Sequence, residues 1–221
     1  MRSKAKIVTG FCPIPGQPRD ADTYHKLAAN FDNVRAAQSR FVDSVEDCWL
    51  WKFCEGLPKL PQHATHDNPA KNSLAYLCVT HQKFEWLVRA AILDSDYEVF
   101  VWVDYGIFHL TDIQPRHIEG LLDRVVTDGV AIPGCWNQQQ AHPRKGDNTQ
   151  PSWRFCGGVY VVPRRDILPL YAAVRHVAER HIARKGFVTW EMNTLAEIEE
   201  RNVYPVHWYQ ADHDASMFTG Y

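Results

Sequence analysis

The chain has 221 residues, with 24 Lys plus Arg against 26 Asp plus Glu, a formal charge of -2, 45% hydrophobic residues and 23% charged ones. That length and composition suit one domain with an ample core and exclude a disordered chain. The charge balance gives no general basic face for nucleic acid, only local patches at Arg164–Arg165 and Arg180–Lys185.

Lys4–Cys12 reads as a first strand, stopped by the turn-rich segment Pro13–Pro18. Asp20 or Asp22 caps a helix running to about Ser39, with Leu27, Ala28, Phe31, Val34 and Ala37 on one face. Trp49, Trp51 and Phe53 alternate, which predicts a strand over Cys48–Cys54. Leu57–Ala70, with Pro58, Pro61 and Pro69, is a loop. Leu74, Leu77, His81, Phe84, Val88 and Ala91 recur at spacings of three and four, so Ser73–Leu93 is a helix with Asn72 or Ser73 as cap. Tyr97–Val103 is a nearly unbroken apolar run, fit for a parallel strand buried on both faces. Pro115–Val126 reads as a helix, Val130–Pro133 as a strand, Asn137–Ser152 as a long polar loop and Phe155–Val162 as a strand opening on two glycines. Pro169–Lys185 is a helix ended by Gly186, Thr189–Arg201 another helix and Val203–Tyr209 the last strand. Alternating strands and helices indicate an α/β fold on a mainly parallel sheet, and the Cys135–Phe155 interruption makes that sheet mixed.

Cys12, Cys48, Cys54, Cys78, Cys135 and Cys156 contain no C-x-x-C pair, which argues against a zinc ribbon and for free thiols in a reducing compartment. His63 and His66 lack Cys or Glu partners nearby, which argues against zinc there too. The basic start Met1–Lys6 is followed by an apolar run too short for a signal peptide, and no stretch approaches the ~18 apolar residues of a membrane span. The expectation is therefore a cytoplasmic protein without a transmembrane segment. Eight Trp and nine Tyr either fill the core or form the stacking walls of a sugar site. Phosphate-loop, nucleophile-elbow and dinucleotide fingerprints are missing from the sequence.

In open parallel sheets ligands sit beyond the carboxyl ends of the strands. That rule selects Thr9, Gly10 and Phe11, then Asp104 and the residues after Val206. Asp104 leaves a buried strand at a turn made by Tyr105-Gly106, where it either holds a divalent cation against a diphosphate or caps the turn.

The stretch Lys83–Leu110, and within it Trp102-Val103-Asp104-Tyr105-Gly106-Ile107, resembles the middle of GT-A glycosyltransferases, especially the bacterial HtrL/YibB-type group. Ile7-Val8-Thr9-Gly10-Phe11 resembles the family's first strand, where nucleotide base and ribose lie. Phe155-Cys156-Gly157-Gly158 resembles the strand whose glycines let the donor sugar approach, and Trp190-Glu191-Met192-Asn193 occupies the place of an acidic motif facing the acceptor. The resemblance implies a single-domain GT-A fold, a mixed, mainly parallel sheet flanked by helices. It implies a UDP-sugar as donor, a glycan or other hydroxyl acceptor and a divalent cation, Mn2+ or Mg2+.

Trp102 stands where the first residue of an Asp-x-Asp pair is usual, so Asp104 is left as metal ligand, with His207 or His213 as a second. By resemblance Lys83 neutralises the diphosphate or pairs with Asp104; otherwise it is an exposed helix lysine. Glu191 is the candidate base, and Trp190 either stacks on a sugar or belongs to the core. Leu57–Ala70 and Asn137–Ser152 are candidate lids over the donor. The alternatives are an inactive GT-A-like module that binds a nucleotide or glycan, and, more remotely, a nucleotidyltransferase.

Overall fold

The computed structural model describes residues 4–17, 19–55, 68–142 and 148–221. In chain order the elements are β1 (Ala5–Phe11), α1 (Ala21–Ala28), β2 (Gln38–Val42), α2 (Trp49–Glu55), α3 (Leu74–Leu93), β3 (Val99–Val103) and α4 (Pro115–Leu122). They continue with β4 (Ala131–Gly134), α5 (Gln138–Ala141), β5 (Val159–Pro163), α6 (Arg164–Lys185), α7 (Glu191–Glu200), β6 (His207–Gln210) and α8 (Ser216–Thr219).

The six strands form one sheet in the order β2-β1-β3-β5-β4-β6. Only β5 runs against its neighbours: β1 is parallel to β2 and β3, β4 is parallel to β6, and both β3 and β4 pair with β5 antiparallel. The fold is therefore mixed α/β and mainly parallel, as expected. The reversal has a local consequence. Because β5 starts where β3 ends, Gly158 accepts a hydrogen bond from the Asp104 amide at 3.0 Å, and the two glycines before β5 lie at the carboxyl edge of the sheet.

The alternation along β3 and β5 divides the core. Phe100, Trp102, Tyr160 and Val162 face a layer built from α2, α3, α6 and α7; Val99, Val101, Val103, Val159 and Val161 face the layer of Phe31, Ile118, Leu121 and Phe218. Both faces of the sheet are covered, which is why these strands carry so few polar residues. In α3, Ser73 caps the amino end by accepting from the Tyr76 amide at 3.2 Å. In α6, Gly186 ends the helix at φ 75°, a left-handed conformation suited to glycine.

Several boundaries differ from expectation: α4 ends at Leu122, β5 starts at Val159 and β6 at His207, and three further departures have a cause in the packing. The helix predicted to about Ser39 ends at Ala28, and a 3-10 turn carries on to Asn33. The Gln38 side chain donates to the Phe31 carbonyl at 2.7 Å and steadies that turn, and Gln38–Val42 becomes an edge strand on β1. The strand predicted over Cys48–Cys54 is α2. Its buried Leu50 and Cys54 are four apart and join Leu77 and Cys78 of α3 in one cluster. Finally, α6 begins at Arg164 rather than Pro169: Arg164 donates to the carbonyls of Ala91 and Asp94 at the end of α3, which fixes an earlier start. Of the candidate lid segments, 57–67 of the first and 143–147 of the second lie outside the described residues, as do His63 and His66; the second is not all loop, since Asn137 caps the short helix α5 by accepting from the Gln140 amide at 3.0 Å. Among the described residues no helix is long and apolar enough to cross a membrane.

Candidate functional site

At the carboxyl ends of β1 and β3 lies a cavity of about 790 Å3 whose lining includes Gly10, Phe11, Lys83, Asp104, Gly157 and Glu191. The volume is within the range of small-molecule sites. A second cavity of about 550 Å3, lined by Arg154, His181 and Glu199 among others, holds none of the sequence-predicted site residues. The carboxyl-edge cavity is therefore the candidate site.

Its centre is one buried lysine. Lys83 is 5% exposed, not the solvated helix lysine that is usual. An ammonium has three donors. Here it donates to Glu191 Oε1 at 2.8 Å and to the Gly157 carbonyl at 2.8 Å, and lies 3.1 Å from Asp104 Oδ1. The rings of Trp102 and Tyr160 flank it at 5.9 and 5.7 Å. Burial works to strip the proton from Lys83, but the carboxylates of Asp104 and Glu191 outweigh it and hold the ammonium well above its ordinary pKa. Burial likewise works to protonate Glu191, and Lys83 outweighs it, leaving that carboxyl below its ordinary value. The buried pair is ionised.

Glu191 opens α7, where the helix dipole also favours a carboxylate. It is 2% exposed, and its Oε2 has no hydrogen-bond partner among the described residues. Asp104 is more open, its side chain 40% exposed. Trp102, two residues before Asp104, has a structural reason for its place. Its ring stacks on Trp86 at 5.5 Å and 7°, and its indole N–H donates to Asp104 Oδ1 at 2.9 Å. Among the described residues the Lys83 and Trp102 contacts of Asp104 both fall on Oδ1, which leaves Oδ2 toward a ligand.

The other predicted residues divide. Gly10 lies under Trp86: a Cβ there would come within 2.5 Å of the indole ring. Phe11 stacks on Tyr105 at 5.2 Å and 19° and packs against Tyr24, making an aromatic wall. Thr9 is fully buried and outside the cavity, so its assignment to donor binding is not supported. Gly157 and Gly158 both line the cavity, and at Gly157 the packing around it leaves no room for a side chain. At Gly157 the space a Cβ would need is filled by Glu191 Oε1 at 2.4 Å and Lys83 Nζ at 2.9 Å. Trp190 is 1% exposed and its indole N–H donates to the Lys71 carbonyl at 3.2 Å, so its ring offers no open face for a sugar.

His207 is not brought to Asp104. It opens β6, is paired with Ala131 and sits beside Gly129, three strands across the sheet from β3. At ~4.8 Å per strand that separation alone is about 14 Å. His213, after β6, does line the cavity, but its Nδ1 lies 3.6 Å from Cys135 Sγ and its ring stands edge-on to Trp153. Sequence reasoning missed Lys71, Tyr24 and Tyr105, which line the cavity together with Arg19. Burial lowers the pKa of the Lys71 ammonium, with the charge of Glu191 opposing. Lys71 falls between the loop read over Leu57–Ala70 and the helix read from Ser73, and nothing in its spacing marks it out.

No protein-family model matches the chain, and no curated protein matches it. Solved structures resemble it in shape, among them the following three. A glycosyltransferase involved in the glycosylation of the major capsid of PBCV-1 is 13% identical, with 94% of this chain and 81% of that one covered and a TM-score of 0.49. Mouse xyloside xylosyltransferase 1 is 10% identical over 93% of this chain and 84% of its own, with a TM-score of 0.44. Glucosyl-3-phosphoglycerate synthase from Mycobacterium tuberculosis, in complex with UDP, is 11% identical over 94% and 70%, with a TM-score of 0.40.

Proposed function

We propose that the chain is a GT-A-type glycosyltransferase moving a sugar from a nucleoside diphosphate sugar, a UDP-sugar, to a hydroxyl acceptor. The observation that carries this reading is the Asp104–Lys83–Glu191 chain of charges at the carboxyl edge of the sheet, lining a cavity of about 790 Å3.

The roles follow from position. The aromatic wall of Phe11, Tyr24 and Tyr105 suits the flat base. Lys71 and Arg19 supply positive charge toward the diphosphate that leaves. Asp104, with Oδ2 unclaimed, fits a divalent cation that takes one carboxylate from protein and its other oxygens from phosphate and water, a pattern usual for Mg2+. Such an ion would neutralise charge on the departing diphosphate. Lys83 holds Asp104 and Glu191 in fixed orientation. Glu191, ionised and in the lining of the cavity, would accept the proton of the acceptor hydroxyl or position the sugar.

The test is isothermal titration with UDP and UDP-sugars, with Mn2+ and with EDTA, beside a transfer assay on wild type and Asp104→Asn. Saturable binding that weakens in the variant, with transfer lost, supports the reading. Wild type that binds no nucleotide under either condition ends it. One observation favours a second reading, an inactive nucleotide- or glycan-binding module: Glu191 is already committed to a buried ion pair. Nucleotide binding without turnover across a broad acceptor panel would select it.

A further inference from the structure

Beside the cavity, three side chains from separate parts of the chain converge. Cys135 follows β4, Cys156 precedes β5 and His213 follows β6. Cys135 Sγ is 3.4 Å from Cys156 Sγ and 3.6 Å from His213 Nδ1, and the three atoms all lie within 4.8 Å of one another. A tetrahedral Zn2+ with Zn–S of about 2.3 Å and Zn–N of about 2.05 Å sets ligand edges of about 3.8 Å between sulfurs and about 3.6 Å between sulfur and nitrogen. The Cys135–His213 separation matches its edge, the Cys135–Cys156 separation is about 0.4 Å short of its own, and the third pair lies within 4.8 Å. Among the described residues this is the one group of three His, Cys, Asp or Glu side chains arranged closely enough to hold an ion.

The backbone sets the cluster up in advance. The Cys135 amide donates to the Trp153 carbonyl at 3.0 Å, and the Cys156 amide donates to the Pro133 carbonyl at 2.7 Å. Trp153 then meets the His213 ring edge-on at 4.7 Å. All six cysteines are free, so both sulfurs are available.

We propose that Cys135, Cys156 and His213 form a binding site for a thiophilic divalent ion, Zn2+, with its fourth position open. The donor set separates this site from the one at Asp104: thiolate and imidazole select zinc, whereas a carboxylate with phosphate oxygens selects Mg2+ or Mn2+. His213 also lines the cavity, so an ion here would pin the segment after β6 to the β4–β5 pair and fix that part of the cavity's rim. The sequence carries no sign of it, because the three ligands lack the short spacings by which zinc sites are recognised.

The test uses the whole chain, kept reduced with a phosphine, stripped with a chelator and titrated anaerobically with Co2+ as a spectroscopic stand-in for zinc. No nucleotide is present, so the outcome is independent of the glycosyltransferase reading. The expected result is one Co2+ per chain with an intense thiolate-to-cobalt band and the visible bands of a four-coordinate ion, all displaced by Zn2+. Cys135→Ser and His213→Ala, at positions that are not fully buried, should keep the fold and weaken binding by more than the about 10–100-fold that loss of a ligand's supporting hydrogen bond costs. Cys156→Ser is the third variant; should it fail to fold, the other two decide. Wild type without the thiolate band, or with a band unchanged in Cys135→Ser, overturns the proposal. So does a reduced protein that takes up no cobalt yet loses two thiols to a Cys135–Cys156 disulfide on exposure to peroxide.

Discussion

Lys83 Nζ lies 2.8 Å from Glu191 Oε1, joining two buried groups 108 positions apart in the chain. Each is costly to bury alone, since the effective penalty for an unpaired ion is several kcal/mol. Lys83→Met should therefore destabilise the fold by about 3–5 kcal/mol, because it strands the Glu191 carboxylate. Lys83→Met combined with Glu191→Leu should recover much of that loss, since apolar replacement of both partners is often neutral or better. Urea unfolding midpoints measure both. A single variant as stable as wild type would mean that the carboxylate is solvated or neutral.

The same pair sets a pH dependence. The folded-state pKa of Glu191 is depressed: burial pushes it up, but Lys83 more than compensates. Its contribution is present above the ordinary Glu value of about 4.3 and is lost as pH falls through the lowered value. Lys83 has a raised folded-state pKa, so its contribution is full below about 10.4 and is lost only as pH rises through the raised value. The stability gap between wild type and Lys83→Met should be widest between those limits and narrow on acidification, where the stranded Glu191 takes up a proton. A gap independent of pH from neutral to acid would contradict the ionised pair.

The sheet was readable in sequence wherever its strands are buried on both faces. β3, with Val99, Phe100, Val101, Trp102 and Val103 all enclosed, announces itself as an apolar run. β2 does not, because it is an edge strand of sequence QSRFV in which only Phe41 is buried. α2 was misread because three aromatic residues alternate over a stretch too short to separate period two from period 3.6. Asp104 was legible from the strand-end rule alone, but the company it keeps was not. That Lys83 turns inward depends on Gly157 and Glu191 arriving from β5 and α7, a long-range event with no local signature. The error at His207 has the same origin: residue order gave the last strand, but its place three strands from β3 comes from sheet order.

The aromatic wall yields a test of donor binding. Tyr105 is half-buried, stacked on Phe11, and its hydroxyl is 2.9 Å from His25 Nδ1. A base stacked on an aromatic ring gains about 1–3 kcal/mol, so Tyr105→Ala should weaken UDP binding by about 5- to 150-fold. Titration calorimetry with UDP reads this directly, with the unfolding midpoint as control for the fold. Unchanged affinity would remove the base from this wall.

Gly157 and Gly158 are adjacent, yet alanine should act differently at the two. A Cβ at Gly157 would stand 2.4 Å from Glu191 Oε1 and 2.9 Å from Lys83 Nζ, and that pair is held by burial on every side. At Gly158 the nearest atom is the Met217 sulfur at 3.0 Å, on a flexible side chain that can swing away. Gly157→Ala should thus cost about 1–3 kcal/mol, the usual range for overpacking, and Gly158→Ala clearly less. The cause can be isolated as well. If the clash is with the ion pair, Gly157→Ala should be milder when Glu191 is already shortened to Ala, because the atom nearest the new methyl is then gone. Equal costs in both backgrounds would place the conflict in the backbone and not in the charged pair that Gly157 makes room for.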